Sequence, residues 1–405
     1  MGRWGQTTNL CQPNTHRICT PEETLDRVRG LLGAIGVTRI ANISGLDRIG
    51  VPVVMVSRPN SRSLAVAQGK GVTLAAAKAG AVMEAVERYH AEHVLLPMKL
   101  ASYEELRYTH AITGPDGLHP GAFYHPHQQI PWVEGRDLIS DEPRWVPYEL
   151  VHTNFTLPLP TGSGAFHMSS TGIAAGNHML EALSHAICEV AERHSTALWR
   201  RASPGVQART RIDLDTVEAA PCQELLEKYE RADVAVAVWD TTTVGIASFL
   251  CTIVDRADLG SGRTPACSGM GCHPNRDIAL LRALAEAAQS RLTLIAGSRD
   301  DISRADYDKA CDPDLLRSVR ERIHEAGSLR SIREVPSYEC DSVEEDVERE
   351  LDSLAEAGFR HVVFVDLSRP ELKVPVVRVV IPGCERDGAP GDSIVDVRDE
   401  GTTSR

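Results

Sequence analysis

The stretch GNHMLEALSHAICEVAER, residues 176–193, sets apolar residues at helical spacing behind a single opening glycine. At ~100° per residue with Glu181 at zero, Asn177 falls at about −40°, Glu192 at about 20° and Glu189 at about 80°. Ala182, Leu183, Ala186, Ile187 and Val190 fill the opposite arc, from about 100° to about 240°. Three carboxylates and an amide therefore line one side of one helix. A solvated face is the ordinary reading of such a pattern. Solvated faces, however, mix Lys with Glu at i,i+4, and the only cation in this stretch is Arg193, at its end. Uncompensated acids on one face suit a hard divalent cation such as Mg²⁺, which takes oxygen ligands from carboxylates and substrate phosphates.

Two other Ala-rich segments repeat the pattern. EAVER (Glu84 to Arg88), EVAER (Glu189 to Arg193) and EAAQSR (Glu286 to Arg291) each give an acid, an acid or amide three residues on, then an Arg. Residues i and i+3 are neighbours on a helix, so Glu84 with Glu87 and Glu189 with Glu192 form close acid pairs. Two such pairs facing each other, with Glu181 beside them, are a poor structural choice unless a metal neutralises them, because unpaired buried charge is expensive. The repetition turns the reading from solvated face to divalent-metal site.

The rest of the chain sets bounds. It has 405 residues, 42% apolar and 24% charged, ordinary for a globular enzyme of two or three lobes. No apolar run approaches ~18 residues and no signal peptide is visible, so a cytoplasmic protein without a membrane anchor is expected. A net charge of −13 argues against a nucleic-acid binder. The ten cysteines are scattered without a CxxC pair, as free thiols of a reducing compartment. CSGMGC (267–272) lacks the second pair a zinc site needs, and the stretch holding His119, His125 and His127 reads as a Pro/Gly-rich surface loop.

Element by element, TPEETLDRVRGLLGAIG (20–36) is a helix, with Thr20 as N-cap, Pro21 at N1 and Glu23 completing a capping box. VPVVMVSRP (51–59) is a strand, and residues 69–96 are a Gly-led turn into an Ala-rich helix. Residues 110–150 read as loop and short strands. VAVAVWD (234–240) and IASFLCTIVD (246–255) form a hairpin, and 278–297 is a third Ala-rich helix. Residues 313–357 read as helical and charged; HVVFVDL (361–367) and VPVVRVVIPG (374–383) are buried strands. Three spans result: a polar segment 1–16, a catalytic domain 17–385 and a disordered tail 386–405.

At this point the residues carry a resemblance. QGKGVTLAAAKAGAVMEAVER (68–88), TGIAAGNHMLEALSHAICEVAER (171–193) and EAAQSRLTLIAGSRDD (286–301) resemble the three nucleotide-binding motifs of the YcaO superfamily, in order and at similar intervals. The segment 131–151 resembles the family's linker, and the likeness runs from about residue 17 to residue 385. It implies an α/β (α+β) fold with pseudo-repeated sheets and ATP held between the Ala-rich motif helices. Carried over by motif, Glu84, Glu87, Glu181, Glu189 and Glu192 would hold Mg²⁺ ions that bridge the phosphates. Asn177, Arg193, Arg291 and Gln289 would contact the nucleotide, Arg193 and Arg291 as catalytic groups. A basic residue and a hydroxyl seven residues later would fall on Arg17 and Thr24. One departure matters: where relatives carry Ser in SAxxExxE, this chain has Gly80, so one hydroxyl contact is missing or replaced.

The resemblance also implies a chemistry. Family members attack a peptide carbonyl with a nucleophile and transfer phosphate from ATP to the oxygen of the adduct. Mg²⁺ and Arg offset charge on the transferring group. A neighbouring Cys, Ser or Thr gives an azoline, an amine an amidine, and external sulfide a thioamide. Azoline formers often end in a PxPxP tail, whereas this sequence ends GDSIVDVRDEGTTSR. No substrate-binding domain precedes the first motif, so a precursor peptide is expected to be recognised here or by a separate partner. Residues 43–71 are most similar to stand-alone members found with a TfuA-type partner, which are tied to thioamidation; a homodimer is a further expectation. An azoline- or amidine-forming cyclodehydratase and a non-catalytic ATP-binding accessory protein are the alternatives.

Overall fold

The computed structural model describes residues 15–122, 124–257, 264–325 and 329–385; Cys11 and the expected tail from 386 lie outside the described residues. Its organising unit is a strand that turns directly into an Ala-rich helix, and the unit occurs three times. In the first, strands Arg39–Asn42, Val53–Ser57 and Val66–Lys70 pair antiparallel in chain order. The last of them feeds the first motif helix, Leu74–Glu92, N-capped by Thr73. In the third, Val234–Asp240, Ala247–Asp255 and Cys267–His273 pair in the same antiparallel order. They feed the third motif helix, Arg276–Ala296, capped by Asn275 and closed by Gly297 in the left-handed region at φ 54°. The expected hairpin is thus the first two strands of a three-stranded sheet.

The second unit stands between them. Its strand, Ile173–Ala175, is the edge of a six-stranded antiparallel sheet that runs Met98–Ala101, Ile130–Asp137, Val363–Asp366, Val376–Val380, Ile173–Ala175. Pro143–Pro147 adds to Ile130–Asp137. The strand leads into the second motif helix, Met179–Arg201, whose first turn is capped by the His178 side chain. The fold is mixed helix and sheet with a repeated sheet–helix unit, as expected.

Small residues set how the units close. A Cβ on Gly69 would stand 2.1 Å from the Ala81 nitrogen and 2.2 Å from the Ala77 carbonyl oxygen. A Cβ on Gly271 would stand 2.1 Å from the Ala279 oxygen and 2.6 Å from the Ala283 nitrogen. The strand backbone therefore lies directly on the helix backbone, with Ala77, Ala81, Ala279 and Ala283 all fully buried at the contact. Alanine is used here for its size as much as for its helix propensity. The resulting core is apolar on the side away from the acids: Val82, Val86, Leu183, Ile187, Leu280 and Leu284 are all buried.

Some expectations need correction. The first helix spans only Pro21–Val28, followed by a 3₁₀ turn Arg29–Leu31, although its Thr20–Glu23 capping box is present. Residues 313–357 divide into helices Pro313–His324 and Val343–Glu356. Between them Arg330–Ser331 pairs with Ile212–Asp213, and Pro336 follows, which has no amide hydrogen with which to continue a helix. Cys267 and Cys272 sit five residues apart on one strand and point to opposite faces, so they are not a metal pair. Among the described residues no helix is long and apolar enough to cross a membrane.

Close backbone packing gives a sharp prediction. Gly69→Ala is expected to cost ~3 kcal/mol or more, the upper end for overpacking, because backbone atoms rather than a flexible side chain must move. Gly80, where a Cβ would find its nearest neighbour at an ordinary 3.6 Å, is expected to accept Ala or Ser with a gain of ~0.5–1 kcal/mol in helix stability. Urea denaturation of the variants checks both.

Candidate active site

The three motif helices face a cleft of about 1160 Å³. One register places equivalent residues of all three helices on its wall. On the register Glu84, Glu189 and Glu286, the turn before supplies Gly80, His185 and Arg282. One residue before the acids stand Met83, Cys188 and Ala285. Three residues after them come Glu87, Glu192 and Gln289, and one further on Arg88, Arg193 and Ser290. The repeat seen in the sequence is therefore a repeat in space.

Each central acid is tied to the strand of its own unit. The Gln68 amide donates to Glu84 at 2.8 Å, the Gly172 amide to Glu189 at 3.0 Å and the Met270 amide to Glu286 at 3.3 Å. Glu87 reaches across to the second unit and accepts from the Ala175 amide at 2.8 Å. Glu181, in the first turn of its helix, spends both oxygens on backbone: Ile18 N–H donates to one and Asn177 N–H to the other, each at 2.7 Å. Asn177 in turn donates from its side chain to the Thr24 hydroxyl at 2.9 Å. That contact joins two residues far apart in the chain that the sequence reading placed together at the nucleotide.

The cleft holds cations as well, Arg88, Arg193 and Arg282 from the motif helices themselves and Lys70 and Arg17 from outside them. Arg88 pairs with Glu84, and Lys70 Nζ lies 2.6 Å from Glu286. Arg193 stands more loosely, 3.9 Å from Glu189 and 3.7 Å from Glu192. Arg17 and Arg282 also line the wall, Arg282 donating to the Cys272 carbonyl at 2.8 Å. Compensation is uneven. Burial, then the charges of Glu84 and Glu189, pushes the Glu87 carboxyl up to about 8. Burial, together with Glu286 and Glu189 and against Arg193, pushes Glu192 up to about 8, and burial raises Glu189. Glu286 is held below the ordinary range in spite of burial, by Lys70 and Arg193.

A cleft carrying both signs fits a magnesium polyphosphate better than either ion alone. Oxygen donors that resist ionisation until a cation arrives suit Mg²⁺, and arginines and a lysine alongside suit phosphate. The residues present thus fit the pair: Glu84, Glu87, Glu189 and Glu192 as metal-side groups, Arg193 and Arg282 toward phosphate.

The structure brings Arg17, Thr24, Gly80, Glu84, Glu87 and Asn177 to this cleft, and with them Glu181, Glu189, Glu192, Arg193 and Gln289. It does not bring Arg291. That guanidinium is 1% exposed and lies between Asp47 (3.0 Å) and Asp255 (2.9 Å), where it clamps the first and third sheets together. The reason is angular: Arg291 lies about 140° around the helix from Glu286, whereas Arg88 and Arg193 lie about 40° from their acids. EAAQSR is one residue longer than EAVER, and Ser290 takes the equivalent place. Arg282, about 40° from Glu286 on the other side, is the arginine the third helix presents. Glu286, Lys70 and Arg282 are the residues sequence reasoning missed; the same wheel arithmetic applied to the third helix finds Arg282.

Residues 68–385 match the family model for the YcaO cyclodehydratases, described as ATP- and Mg²⁺-binding. The chain is similar to an uncharacterized protein in the tfuA 3′ region of Rhizobium leguminosarum bv. trifolii, 35% identical over 92% of this chain and 89% of the relative. An uncharacterized protein of Methanothermobacter thermautotrophicus is 35% identical over 90% of this chain and 94% of its own length. Among solved structures, YcaO from Methanopyrus kandleri bound with AMPPCP and Mg²⁺ superposes with a TM-score of 0.72 at 25% identity, covering 93% of this chain and 94% of that one. A heterocyclase in complex with substrate and cofactor gives a TM-score of 0.79 at 23% identity over 94% of this chain. The present chain spans only 54% of that heterocyclase, and the likeness is one of fold.

Two predictions follow from the charges. Arg291→Ala is expected to cost ~3–5 kcal/mol, since it takes the guanidinium from the Asp47 carboxylate and leaves buried Asp255 to Arg48 alone. Arg282→Ala should shift stability by ~1 kcal/mol at most while losing affinity for a magnesium-loaded ATP analogue. Denaturant melts and calorimetry separate the two. The second prediction concerns pH. The folded protein binds protons on Glu87 and Glu192 that the unfolded chain releases near the ordinary carboxyl value. Without Mg²⁺ this stabilisation is full at low pH and is lost as pH rises through about 8. Thermal melts of the metal-free protein should fall over that window. Melts with Mg²⁺ and the analogue should flatten or reverse the trend, with protons released on binding.

Proposed function

This chain belongs to the YcaO family of ATP- and Mg²⁺-binding cyclodehydratases, and from that premise we propose that it installs thioamides in a ribosomally made peptide or protein, using an external sulfur donor. The observation that carries this reading is the near full-length similarity to a protein in the tfuA 3′ region. It agrees with the likeness of residues 43–71 to TfuA-associated members. A TfuA-like protein is accordingly the proposed partner, and a precursor peptide the substrate.

The residues divide the work. Glu84, Glu87, Glu189 and Glu192 would hold Mg²⁺; Glu181, expected among the ligands, has both oxygens engaged by the Ile18 and Asn177 amides and would shape the helix start beside them. The ion would supply charge neutralisation on the phosphates. Arg193 and Arg282 face the same space and would balance the charge of the transferring phosphoryl group, the largest electrostatic demand of the step. Hydrosulfide adds to the amide carbon, and the carbonyl oxygen takes the γ-phosphoryl group. The C–O bond then breaks as C=S forms. The amide oxygen leaves in inorganic phosphate with the proton of hydrosulfide, so the sum is amide, hydrosulfide and ATP to thioamide, ADP and phosphate.

No thiol of the enzyme is needed in this sum. Cys188 lies on the cleft wall, but burial and the adjoining Cys272 hold its thiol well above the ordinary value, and it donates to buried Glu350 at 3.2 Å. Such a thiol is a poor nucleophile and a poor sulfur carrier.

The test is a candidate precursor peptide incubated with the protein, ATP, Mg²⁺ and sulfide, with its partner protein where required. A mass gain equal to oxygen-to-sulfur exchange supports thioamidation. Loss of one water identifies an azoline, and absence of peptide-dependent phosphate release identifies an accessory protein. Glu189→Gln is expected to lose phosphate release while staying folded. Cys188→Ala is expected to keep the sulfur-exchanged product with free sulfide; its loss in a folded, ATP-binding variant would show that Cys188 relays sulfur.

A further inference from the structure

Residues 15–19 run along the cleft as an alternating strap. Thr15, Arg17 and Cys19 line the cleft, while the two residues between them turn away. Ile18 packs against the apolar cluster behind the second motif helix, and its amide is the one that donates to Glu181. His16 reaches a buried polar cluster on the far side. Its Nδ1 lies 2.7 Å from the Asp346 carboxylate, on the helix Val343–Glu356, with both side chains less than a tenth exposed. His16 also meets the His273 ring edge-on at 4.8 Å between centroids, and His273 Nε2 lies 3.9 Å from Asp346.

His16, His273 and Asp346 place metal-ligand atoms within 4.8 Å of one another, yet the proton positions speak against a metal. His273 Nδ1 accepts the Asn275 amide at 3.0 Å. A neutral ring that accepts there carries its proton on Nε2, the atom that faces Asp346. Burial, with Arg282 and the neighbouring rings, holds His273 well below its ordinary value and therefore neutral. Within the cluster His16 hydrogen-bonds one Asp346 oxygen, and the His273 Nε2–H faces that same oxygen from 3.9 Å, too far for a hydrogen bond. The cluster's cost is visible in the backbone: His16 adopts φ 48°, in the left-handed region that non-glycine residues seldom occupy, and the surrounding contacts must hold it there.

We propose that the His16–Asp346 pair, buttressed by His273, is a latch that positions Arg17 in the nucleotide cleft, making His16 and Asp346 positioning residues for the ATP site. The left-handed turn at His16 sends its side chain outward to Asp346 and the next one inward. Asp346 and Glu181 fix the strap at the two residues that flank Arg17, through a side chain at His16 and a backbone amide at Ile18. Releasing His16 leaves Arg17 attached at one side only. The inference rests on the reading of the cleft as the nucleotide site, and does not depend on which product the enzyme makes.

The test is calorimetric titration of the full chain with a magnesium-loaded, non-hydrolysable ATP analogue, in a double-mutant cycle. His16→Ala and Asp346→Asn are each expected to weaken binding about tenfold, and Arg17→Ala more. The double variant His16→Ala/Arg17→Ala should bind no more weakly than Arg17→Ala alone, because the latch acts through Arg17. His16→Asn, which tolerates the left-handed backbone and still offers an N–H to Asp346, should retain most of the affinity. It also serves if His16→Ala fails to fold. Independent, multiplying losses in the double variant, unchanged binding in folded His16→Ala, or the loss of binding in folded His16→Asn would each overturn the latch. Wild-type protein that does not bind the analogue at all would instead overturn the nucleotide reading of the cleft. Because no peptide or sulfide is present, a wrong assignment of the product leaves the result unaffected.

Discussion

The hydrogen bond from a strand amide to a glutamate on the following helix is the contact the rest of the site hangs on. Gln68 to Glu84, Gly172 to Glu189 and Met270 to Glu286 are the same bond made three times. It forms only because strand and helix backbones approach closely, and in the first and third units that approach is fixed by Gly69 and Gly271 against buried alanines. A larger residue at either glycine would lift the helix and lengthen the bond to its acid. The glycines and alanines are therefore as much a part of the active site as the carboxylates they deliver, although none of them carries chemistry.

Burying several carboxylates around one space runs against their mutual repulsion, and the structure divides that cost unevenly. Glu84 is paired with Arg88, and Lys70 together with Arg193 holds Glu286 below the ordinary carboxyl range. Glu87 and Glu192 have only backbone or distant partners and hold protons up to about 8. Before a cation binds, part of the acid cluster is neutral, which is how a metal-free protein tolerates it. Mg²⁺ held at those two positions would take the place of the protons. The cations on the same walls keep the cleft from being a plain acidic trap, which would attract Mg²⁺ and repel the phosphates that must accompany it.

How much of this was legible depended on periodicity. The wheel on residues 176–193 places Glu189 and Glu192 on one side, and the structure puts both on the cleft. Short-range spacing also revealed the threefold repeat. The third unit does not align on its terminal Arg, because EAAQSR carries one residue more than EAVER and the helix repeats by angle. Arg291 consequently belongs to a buried clamp with Asp47, in the loop between the first two strands, and Asp255, at the end of a strand of the third sheet, which no local pattern could pair with it. Lys70 was written in the GKG turn, but its partner Glu286 lies in the third unit, a contact set by tertiary packing alone. The helical reading of 313–357 failed for a similar reason, since a two-residue strand at Arg330–Ser331 finds its partner at Ile212–Asp213.

Threefold repetition of the scaffold leaves each layer free to differ in chemistry. The central layer keeps an acid in all three units, as expected of the residue whose position the strand amide fixes. The next layer toward the helix C-termini changes from Glu87 and Glu192 to Gln289, and the Arg88 and Arg193 that follow become Ser290. The layer before the acids changes most: Gly80, His185 and Arg282 share one position in the fold. Carboxylates thus gather toward the first and second units, while the third contributes an arginine and an amide. A symmetric ring of acids would bind cations without direction. Breaking the symmetry at these layers gives the cleft a carboxylate-rich side and a side that carries Arg282, which would favour one orientation of a polyphosphate with its metal. Gly80 fits this division: at this layer the first unit contributes backbone alone, and a Cβ there would meet its nearest neighbour, the Gly69 Cα, at 3.6 Å.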